Sequence, residues 1–536
     1  MDSKEIINFC IEKGILIDKE LLNIFEDAND INSVKIILEK ILEQTSQKII
    51  TKKIFSQNRE HVYKVFSSLP NEQKNNLDKL RINLGLSIEI SREGHQPKIL
   101  DEQAVSENEL RNVKVLSSSL PPTKKLEVKD FSKHFSQRYV DLRKILQEHP
   151  GLSNLISINK LSKANQEFSI IGIIYNKTTT KNNNLIFEVE DLTGRMKVIV
   201  TQKNKEVYQN AENLPLDSVV AFKGSGNSEI LFVDEVILPD AFLLERKKSL
   251  NDEWALFISD VHVGSRNFME ENFLKFIDYL NGNIPGTPEA KKIKYLFIVG
   301  DLVAGVGVYP NQEKELAIKD IEGQYTKMAE LLSKIRRDIR IIIIPGNHDC
   351  VRLMEPQPIL DEKYAWALYN LENVTLVPNP SLVNIGSTET FEGFNVLMYH
   401  GFSYFYYVHN IPSLIEGEAS KSPDKVMAYL LKNRHIAPTH ASNQYLPSEQ
   451  DGLMIRIVPD IFVSGHTHKN SISYYNNILI ISNACWEELM PYQEKMGFES
   501  DYCKVPMFNL KTRETKILDF LGEKKKSNPE EILNEN

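Results

Sequence analysis

The sequence predicts a multidomain α+β protein with three folded parts: a helical N-terminal domain, a small β-barrel and a layered α/β domain. Three observations predict this class. The 536 residues exceed what one hydrophobic core usually organises. Apolar residues recur at helical spacing near the N-terminus and in short strand-like runs in the middle of the chain. In the C-terminal half, short continuous apolar runs alternate with helical patterns, which indicates buried strands between helices.

Composition is that of a globular cytoplasmic protein. Hydrophobic residues make up 41% and charged residues 26% of the chain, which is an ordinary balance. The four cysteines include no CxxC pair, which disfavours both a disulfide framework and a thiolate zinc site. The sequence contains no signal-like N-terminus and no run of eighteen apolar residues. We therefore expect a cytoplasmic location and no membrane partner.

The charge balance limits how the protein could meet nucleic acid. The formal net charge is −9. Such a charge does not favour a protein that grips DNA alone through a broad basic surface. A second subunit is expected to supply a basic DNA-binding surface.

A helical domain is predicted over residues 1–90. Ile6, Phe9 and Cys10 recur at helical spacing, and Gly14 can close the helix. Two further apolar stripes over 18–41 predict a second and a third helix.

A flexible linker is predicted over 91–128. The apolar periodicity fades there, and 117–125 is rich in Ser, Pro and Lys. The polar residues 516–536 are expected to form a disordered tail.

Residues 129–248 are predicted to form a lead helix followed by an OB-type barrel. Phe135, Tyr139, Leu142 and Leu146 share one helical face. Five runs rich in β-branched and aromatic residues follow, at 168–175, 185–189, 196–201, 219–223 and 230–238. Five short strands suit an OB-type barrel, with an unrelated small β-domain as the alternative. Because no basic and aromatic stripe is evident, contact with another subunit is at least as well supported as single-strand binding.

Residues 249–515 are predicted to form the layered α/β domain, and its strands end in potential metal ligands. The ligand-type residues after the five buried runs are Asp260 and His262, Asp301, Asn347 with His348 and Asp349, His400, and His466 with His468. Ligands at strand ends are held rigidly and can converge on one cleft. Any one of these motifs is weak evidence by itself. Five of them in order, each directly after an apolar run, strongly indicate a metal site.

The ligand types indicate hydrolytic chemistry. Histidine, carboxylate and amide ligands suit Mn²⁺, Fe²⁺ and Zn²⁺. A carboxylate can bridge two ions about 3.5–4 Å apart, which then hold the attacking and leaving oxygens of a phosphodiester. We expect two divalent metal ions, with Mn²⁺ as the first choice and Fe²⁺ or Zn²⁺ as alternatives.

The five motifs resemble those of the calcineurin-like phosphoesterase superfamily. They read Asp260-Val261-His262, Gly300-Asp301, Gly346-Asn347-His348-Asp349, His400-Gly401 and Gly465-His466-Thr467-His468. The resemblance implies a two-sheet core flanked by helices. It implies that one metal is held by Asp260, His262, Asp301 and His468, and the other by Asp301, Asn347, His400 and His466. His348 would be the catalytic histidine that is not a ligand.

Three longer stretches, 300–312, 355–358 and 434–439, are similar to the small subunits of archaeal family D DNA polymerases. The similarity covers about 130–515. It implies a 3′–5′ proofreading exonuclease that acts on the single-stranded or mismatched 3′ end of a DNA primer. It also implies a large catalytic polymerase subunit as partner. The direction of cleavage follows from this resemblance alone.

Two other functions remain open at this stage. One is a catalytically silent structural B subunit that scaffolds the polymerase; in the related eukaryotic subunits the ligands are degraded, whereas here every ligand position is filled. The other is a stand-alone repair nuclease or phosphomonoesterase, for which the preceding barrel would be out of place. His409, His435 and His440 are expected to be loop or packing histidines. The aromatic run 404–407 is either packing or a base-stacking surface near His400.

Overall fold

The computed structural model describes residues 3–17, 35, 38, 49–50, 113–118, 125–489 and 499–521. The chain divides into two compact units, residues 1–104 and 105–536. In the first unit, the helix Ser3–Glu12 (α1) precedes the strands Leu16–Ile17 (β1) and Ile49–Ile50 (β2), which pair in parallel. The two further helices expected over 18–41 fall outside the described residues, except at positions 35 and 38, so the helical domain stays a prediction.

The second unit begins with a sheet strand, Val113–Ser118 (β3), and then a lead helix, Val128–Gln147 (α2). The barrel strands are Gln166–Thr179 (β4), Leu185–Glu190 (β5), Arg195–Val200 (β6), Val219–Gly226 (β7) and Ile230–Ile237 (β8), with the helix Lys205–Glu212 (α3) between β6 and β7. They close in the order β4-β5-β6-β8-β7. The predicted five-stranded barrel is therefore confirmed.

Two six-stranded sheets form the centre of the remaining domain. In chain order after β8, the strands are Trp254–Ile258 (β9), Ile293–Val299 (β10), Arg340–Ile344 (β11), Val374–Leu376 (β12), Ser381–Ile385 (β13), Phe394–Met398 (β14), Ile461–Ser464 (β15), Ser471–Tyr475 (β16), Ile478–Ser482 (β17), Lys504–Asn509 (β18) and Thr515–Asp519 (β19). The first sheet has the order β12-β11-β10-β9-β18-β19, and the second has β16-β17-β15-β14-β13-β3.

Side chains alternate between two cores because successive strand residues point to opposite faces. Phe257 of β9 packs with residues of the second sheet, whereas Leu256 beside it packs against helices. The helices are Glu270–Leu280 (α4), Ile321–Ser333 (α5), Glu362–Tyr369 (α6), Tyr404–Asn410 (α7), Pro412–Glu416 (α8) and Asp424–Lys432 (α9). The first three contribute to the core on the first sheet, and the last three to that on the second. The expected two-sheet core with flanking helices is thus present.

Two boundaries drawn from sequence are corrected. Residues 113–118, placed in the linker, pair with β13 at the edge of the second sheet. Their partner lies far along the chain, so no local pattern marks this strand. Similarly, β19 lies in the expected tail and pairs with β18. The ordered domain therefore extends beyond residue 515 to residue 521, and residues 522–536 lie outside the described part.

Two sequence expectations concern covalent and membrane features. Cys10, Cys350, Cys485 and Cys503 are all free thiols. Among the residues that the structure describes, no helix is long and apolar enough to cross a bilayer.

Helix α2 joins the barrel to the two-sheet domain through a buried ion pair. Arg138 Nε lies 2.6 Å from Asp451 Oδ2, and both side chains are at most 3% exposed. The Arg138 guanidinium also donates to Pro438 O at 2.7 Å. Both charges are therefore compensated by direct contacts, and neither can be removed without leaving the other buried.

We expect Arg138→Ala to lower the free energy of unfolding by about 3–5 kcal/mol, because an uncompensated carboxylate would remain buried. Urea unfolding of the full chain measures this loss. Lys144→Ala, on an exposed position of the same helix, is the matched control and should change little. A loss below about 1 kcal/mol for Arg138→Ala would contradict a structural ion pair.

His435 makes the same cluster sensitive to acid. Ala437 N donates to His435 Nδ1 at 3.0 Å, so the ring proton sits on Nε2, which lies 2.9 Å from Asp451 Oδ2. Burial, together with Arg138, lowers the pKa of His435 to about 4. His134 packs on the same carboxylate. Protonating Nδ1 would break the bond from Ala437.

The contribution of His435 to the stability of the folded chain should consequently be lost as pH falls from about 6.5, the ordinary histidine value, towards 4. In this pH window His435 binds a proton in the unfolded chain but not in the folded chain. The expected loss of its contribution to the free energy of unfolding is about 3 kcal/mol. Burial alone would raise the pKa of Asp451, but Arg138 and His435 hold it well below its usual range. The stability that the ionised Asp451 contributes is therefore lost only at lower pH. His435→Asn, which cannot titrate, should lack this contribution, so between pH 7 and 4.5 its free energy of unfolding should fall by less, or rise by more, than that of the wild type. Equal slopes in both proteins would refute this assignment.

Candidate metal centre

Parallel strands bring the predicted ligands to one edge of the sheets. In the first sheet β9, β10 and β11 are parallel neighbours, and in the second β14 and β15 are. Their carboxyl ends are followed by the five ligand motifs. Because parallel strands end at the same edge, short loops suffice to gather residues that are far apart in sequence.

The structure brings the predicted residues into three overlapping clusters. In each cluster one ligand-type atom per residue lies within 4.8 Å of the others: Asp260, His262 and His468; His262, Asp301 and His348; Asp301, His400 and His466. Asn347 joins the third cluster, since its Oδ1 lies 3.0 Å from His400 Nε2. All seven predicted ligands and the predicted catalytic histidine therefore lie together. Geometry alone also places His348 within ligand range.

The backbone carries strain where the ligands are presented. Five of the seven residues adopt left-handed conformations that non-glycine residues rarely use: Asp260, His262, Asp301, His466 and His468, with φ between 52° and 67°. Such conformations cost of order 1–3 kcal/mol each and cluster at functional sites. The concentration of strain in these loops is independent support for a functional site.

Two glycines allow the motif loops to approach the carboxylates. A Cβ on Gly346 would overlap Asp301, and a Cβ on Gly465 would lie 2.6 Å from Asp260 Oδ2. Any side chain at these positions would displace a ligand. The glycines that open the third and fifth motifs are therefore explained by close packing.

Backbone carbonyls fix the tautomers of two site histidines. His400 Nδ1 lies 2.9 Å from Val299 O, and His348 Nδ1 lies 2.9 Å from Ala304 O. A carbonyl can only accept, so both Nδ1 atoms carry a proton. In the neutral rings, Nε2 is then left with a lone pair for a metal ion or a proton.

The electrostatics of Asp301, His262 and His466 suit cation binding, whereas Asp301 raises the pKa of His400 to about 9 against the effect of burial, so a bound metal ion would have to displace that proton. Burial opposes ionisation of Asp301, but His400 and His348 nearby hold its pKa well below the usual range. Burial, followed by the neighbouring His400, lowers the pKa of His466 to about 3, and burial likewise lowers that of His262. Ionised carboxylates and neutral imidazoles are the forms that bind metals.

The donor geometry fits a divalent ion. His262 Nε2 and His468 Nε2 face each other at 3.3 Å, and His468 Nε2 lies 3.3 Å from Asp260 Oδ1. His262 Nδ1 is buried and has no hydrogen-bond partner among the described residues. Converging lone pairs of this kind are satisfied by a shared cation.

Asp349, which also follows the third strand, is not in the clusters and instead holds the loops together. Its Oδ2 accepts from Gly346 N at 2.8 Å and Leu302 N at 3.3 Å, and its Oδ1 accepts from Tyr325 Oη at 3.2 Å. Burial and the neighbouring Asp301 raise its pKa to about 7. A position shortly after a strand therefore does not by itself identify a metal ligand.

One carboxylate at the site was missed from sequence. Glu487 Oε2 lies 4.0 Å from His262 Nε2. Glu487 follows β17 at a distance of five residues and belongs to no recognised motif. It lies too far beyond the end of the strand to be identified as a residue that directly follows one.

The remaining histidines and aromatic residues divide between packing and the site. His435 is 1% exposed and belongs to the structural cluster around Asp451, as expected for a packing histidine. Tyr404 and Tyr407 are buried, whereas Phe405 is 47% exposed and its ring lies 5.3 Å from that of His466. The aromatic run is thus partly packing and partly site surface.

Comparison with known proteins agrees with this geometry. The family model described as calcineurin-like phosphoesterase matches residues 254–470, and the one described as HIN-200/IF120x domain matches 96–216. The chain is 35% identical to the DNA polymerase II small subunit of Methanothermobacter thermautotrophicus, with 72% of this chain and 78% of that protein covered. Identity to the subunit of the same name is 37% in Pyrococcus furiosus, covering 74% and 64%, and 32% in Thermoplasma acidophilum, covering 73% and 78%.

Proposed function

We propose, since this chain belongs to the family of archaeal DNA polymerase II small subunits, that it is the 3′–5′ proofreading exonuclease of a replicative polymerase. The substrate would be the terminal phosphodiester of an unpaired DNA 3′ end, and the product a nucleoside monophosphate. The observation that carries the proposal is the convergence of all seven ligand-type residues and His348 from the strand ends of both sheets. A purely structural subunit has no need for this set.

Two divalent ions would be held by the predicted sets, with Asp301 shared between them. Ions bound there would activate the attacking water and balance the charge that develops on the phosphate. Mn²⁺ is the ion we expect, with Fe²⁺ and Zn²⁺ as alternatives, because all three accept this mixture of ligands.

His348 would act on the leaving oxygen. Water attacks phosphorus, the bond from phosphorus to the 3′ oxygen breaks, and that oxygen takes a proton to become the new 3′ hydroxyl. His348 Nε2 is the atom suited to hold and deliver that proton, because Nδ1 is engaged with Ala304 O. The same contact fixes the ring in one orientation while the strand is cleaved.

The proposed partner is a large catalytic subunit. It would also supply a basic DNA-binding surface, which the net charge of −9 makes unfavourable on this chain alone. The barrel would be of OB type, as its strand order and the parallel pairing of β6 with β8 support. A replicative role also implies a cytoplasmic location.

The test is release of mononucleotides from a 3′-labelled primer by the full chain copurified with its large partner, in Mn²⁺. A mismatched end should be cleaved faster than a paired end, because a paired end must first unpair at a cost of a few kcal/mol. Equal rates on both ends would contradict proofreading. Absence of release from every wild-type preparation would favour the structural scaffold.

A further inference from the structure

A cavity of about 520 Å³ is lined in part by Phe402, whose ring lies close to that of the predicted ligand His466. Its lining includes Met354, Phe402, His440, Asn443, Gln444 and Tyr445. Cavities of about 300–1,000 Å³ with mainly apolar walls and a few polar groups are typical of small-molecule sites. The volume is ample for one nucleobase.

The cavity shares a wall with the metal centre. The ring of Phe402 lies 5.6 Å from that of His466 and follows His400 by two residues. Met354, which also lines the cavity, is carried by the loop that follows His348. A group bound in the cavity would therefore be next to a phosphate bound at the clusters.

The walls are held rigidly. Glu355 N donates to Gln444 O at 2.9 Å, and Leu446 N donates to Glu355 O at 2.8 Å. Tyr445 is stacked on His134 at a ring distance of 5.2 Å. Its hydroxyl lies 2.8 Å from His440 Nδ1. The cavity is thus part of the packed domain.

Buried polar groups hold the side-chain amide of Asn443, one of the residues that line the cavity. Asn443 Nδ2 donates to Glu355, a carboxyl group 1% exposed that also accepts from Tyr399 Oη at 3.1 Å. Asn443 Oδ1 is buried and has no hydrogen-bond partner in the described part of the chain. The orientation of this side chain is therefore fixed from behind the cavity.

The lining chemistry selects among ligand classes. Among the described residues, the lining combines aromatic rings, the imidazole of His440, a thioether and two amides, and it contains no lysine, arginine or carboxylate side chain. A phosphate would find no lysine or arginine there, and an aliphatic chain would leave the amide of Gln444 unused. A neutral heterocycle with hydrogen-bonding edges matches both features, because every nucleobase has a π-face that stacks on aromatic side chains.

We propose that this cavity receives the base of the unpaired 3′-terminal nucleotide while its phosphodiester lies at the metal clusters. The inference rests on the proposed function, which it deepens by assigning the base a site. Recognition by stacking is tolerant of sequence, as a proofreading site requires. The pocket would favour frayed ends because a paired base cannot enter it.

The first test measures binding without cleavage. Single-stranded DNA with 2-aminopurine at its 3′ end is titrated with the full chain in EDTA. Quenching should exceed that of DNA with an interior 2-aminopurine, and Phe402→Leu and Asn443→Ala should each weaken terminal quenching, by roughly tenfold for Phe402→Leu. Tyr175→Leu, at an exposed barrel residue, is the matched control. Absence of terminal quenching, or an equal effect of the control, would overturn the proposal.

The second test separates this inference from the function on which it rests. Hydrolysis by the copurified complex is compared on primers ending in an ordinary or an abasic nucleotide. The abasic end should raise KM roughly tenfold in the wild type and have little further effect in Phe402→Leu. Cleavage with equal KM on both ends would reject the pocket and keep the nuclease. Terminal quenching without cleavage of any primer would reject the nuclease and keep the pocket.

Discussion

Asp301→Asn is expected to lower the rate of DNA hydrolysis by roughly 10³-fold or more, since stabilisation by bound ions is worth several kcal/mol. Asp301 belongs to two of the three clusters and would bridge the ions. Asparagine keeps the size of the side chain and its acceptance from His348 N, a bond of 2.8 Å, but removes the negative charge. The metal content of the purified protein should fall along with the rate.

The matched control is Asp234→Asn, which removes the same charge at an exposed position on the barrel. It should leave both rate and metal content unchanged. Thermal unfolding should show that both variants remain folded. Full activity in Asp301→Asn would mean that the cleaving site lies elsewhere in the complex.

His348→Ala should lower kcat by roughly 10²–10⁴-fold, the usual contribution of a positioned general acid. The structure ties its ring to Ala304 O and thereby directs Nε2 to the chemistry. If His348 is not a ligand, metal content should stay near the wild-type value. This combination distinguishes His348 from the seven ligands, whose replacement should lower both quantities.

His409→Ala is the control for this variant, because His409 is exposed and its ring contacts Phe405 O in its own helix. It should retain wild-type kcat. Loss of bound metal in His348→Ala would reassign His348 as a ligand, which its cluster with His262 and Asp301 allows geometrically. Unchanged kcat would remove it from the mechanism.

The fold and the centre of the site were predictable because their signals are local. Each ligand motif directly follows a short apolar run, and parallel strands then bring such motifs to one edge whatever their separation in sequence. The barrel strands were likewise marked by turns on both sides. Asp301 and His400 could thus be placed in one site before any coordinates were known.

Features that depend on distant pairing could not be predicted. The strand β3 has its partner in β13, and nothing in its six residues indicates which edge it will join. Glu487 reaches His262 only through the path of the loop after β17. Part of the cavity wall lies where Glu355 pairs with Tyr445, a contact between segments that carry no shared pattern.

The measurement that tests the account most directly is Mn²⁺-dependent release of mononucleotides from a 3′-labelled, mismatched primer by the wild-type complex, alongside Asp301→Asn and His348→Ala. We predict release by the wild type and its loss in both variants, with bound metal lost only in Asp301→Asn. Equal release by all three complexes, or none by the wild type, would contradict a proofreading nuclease at this site.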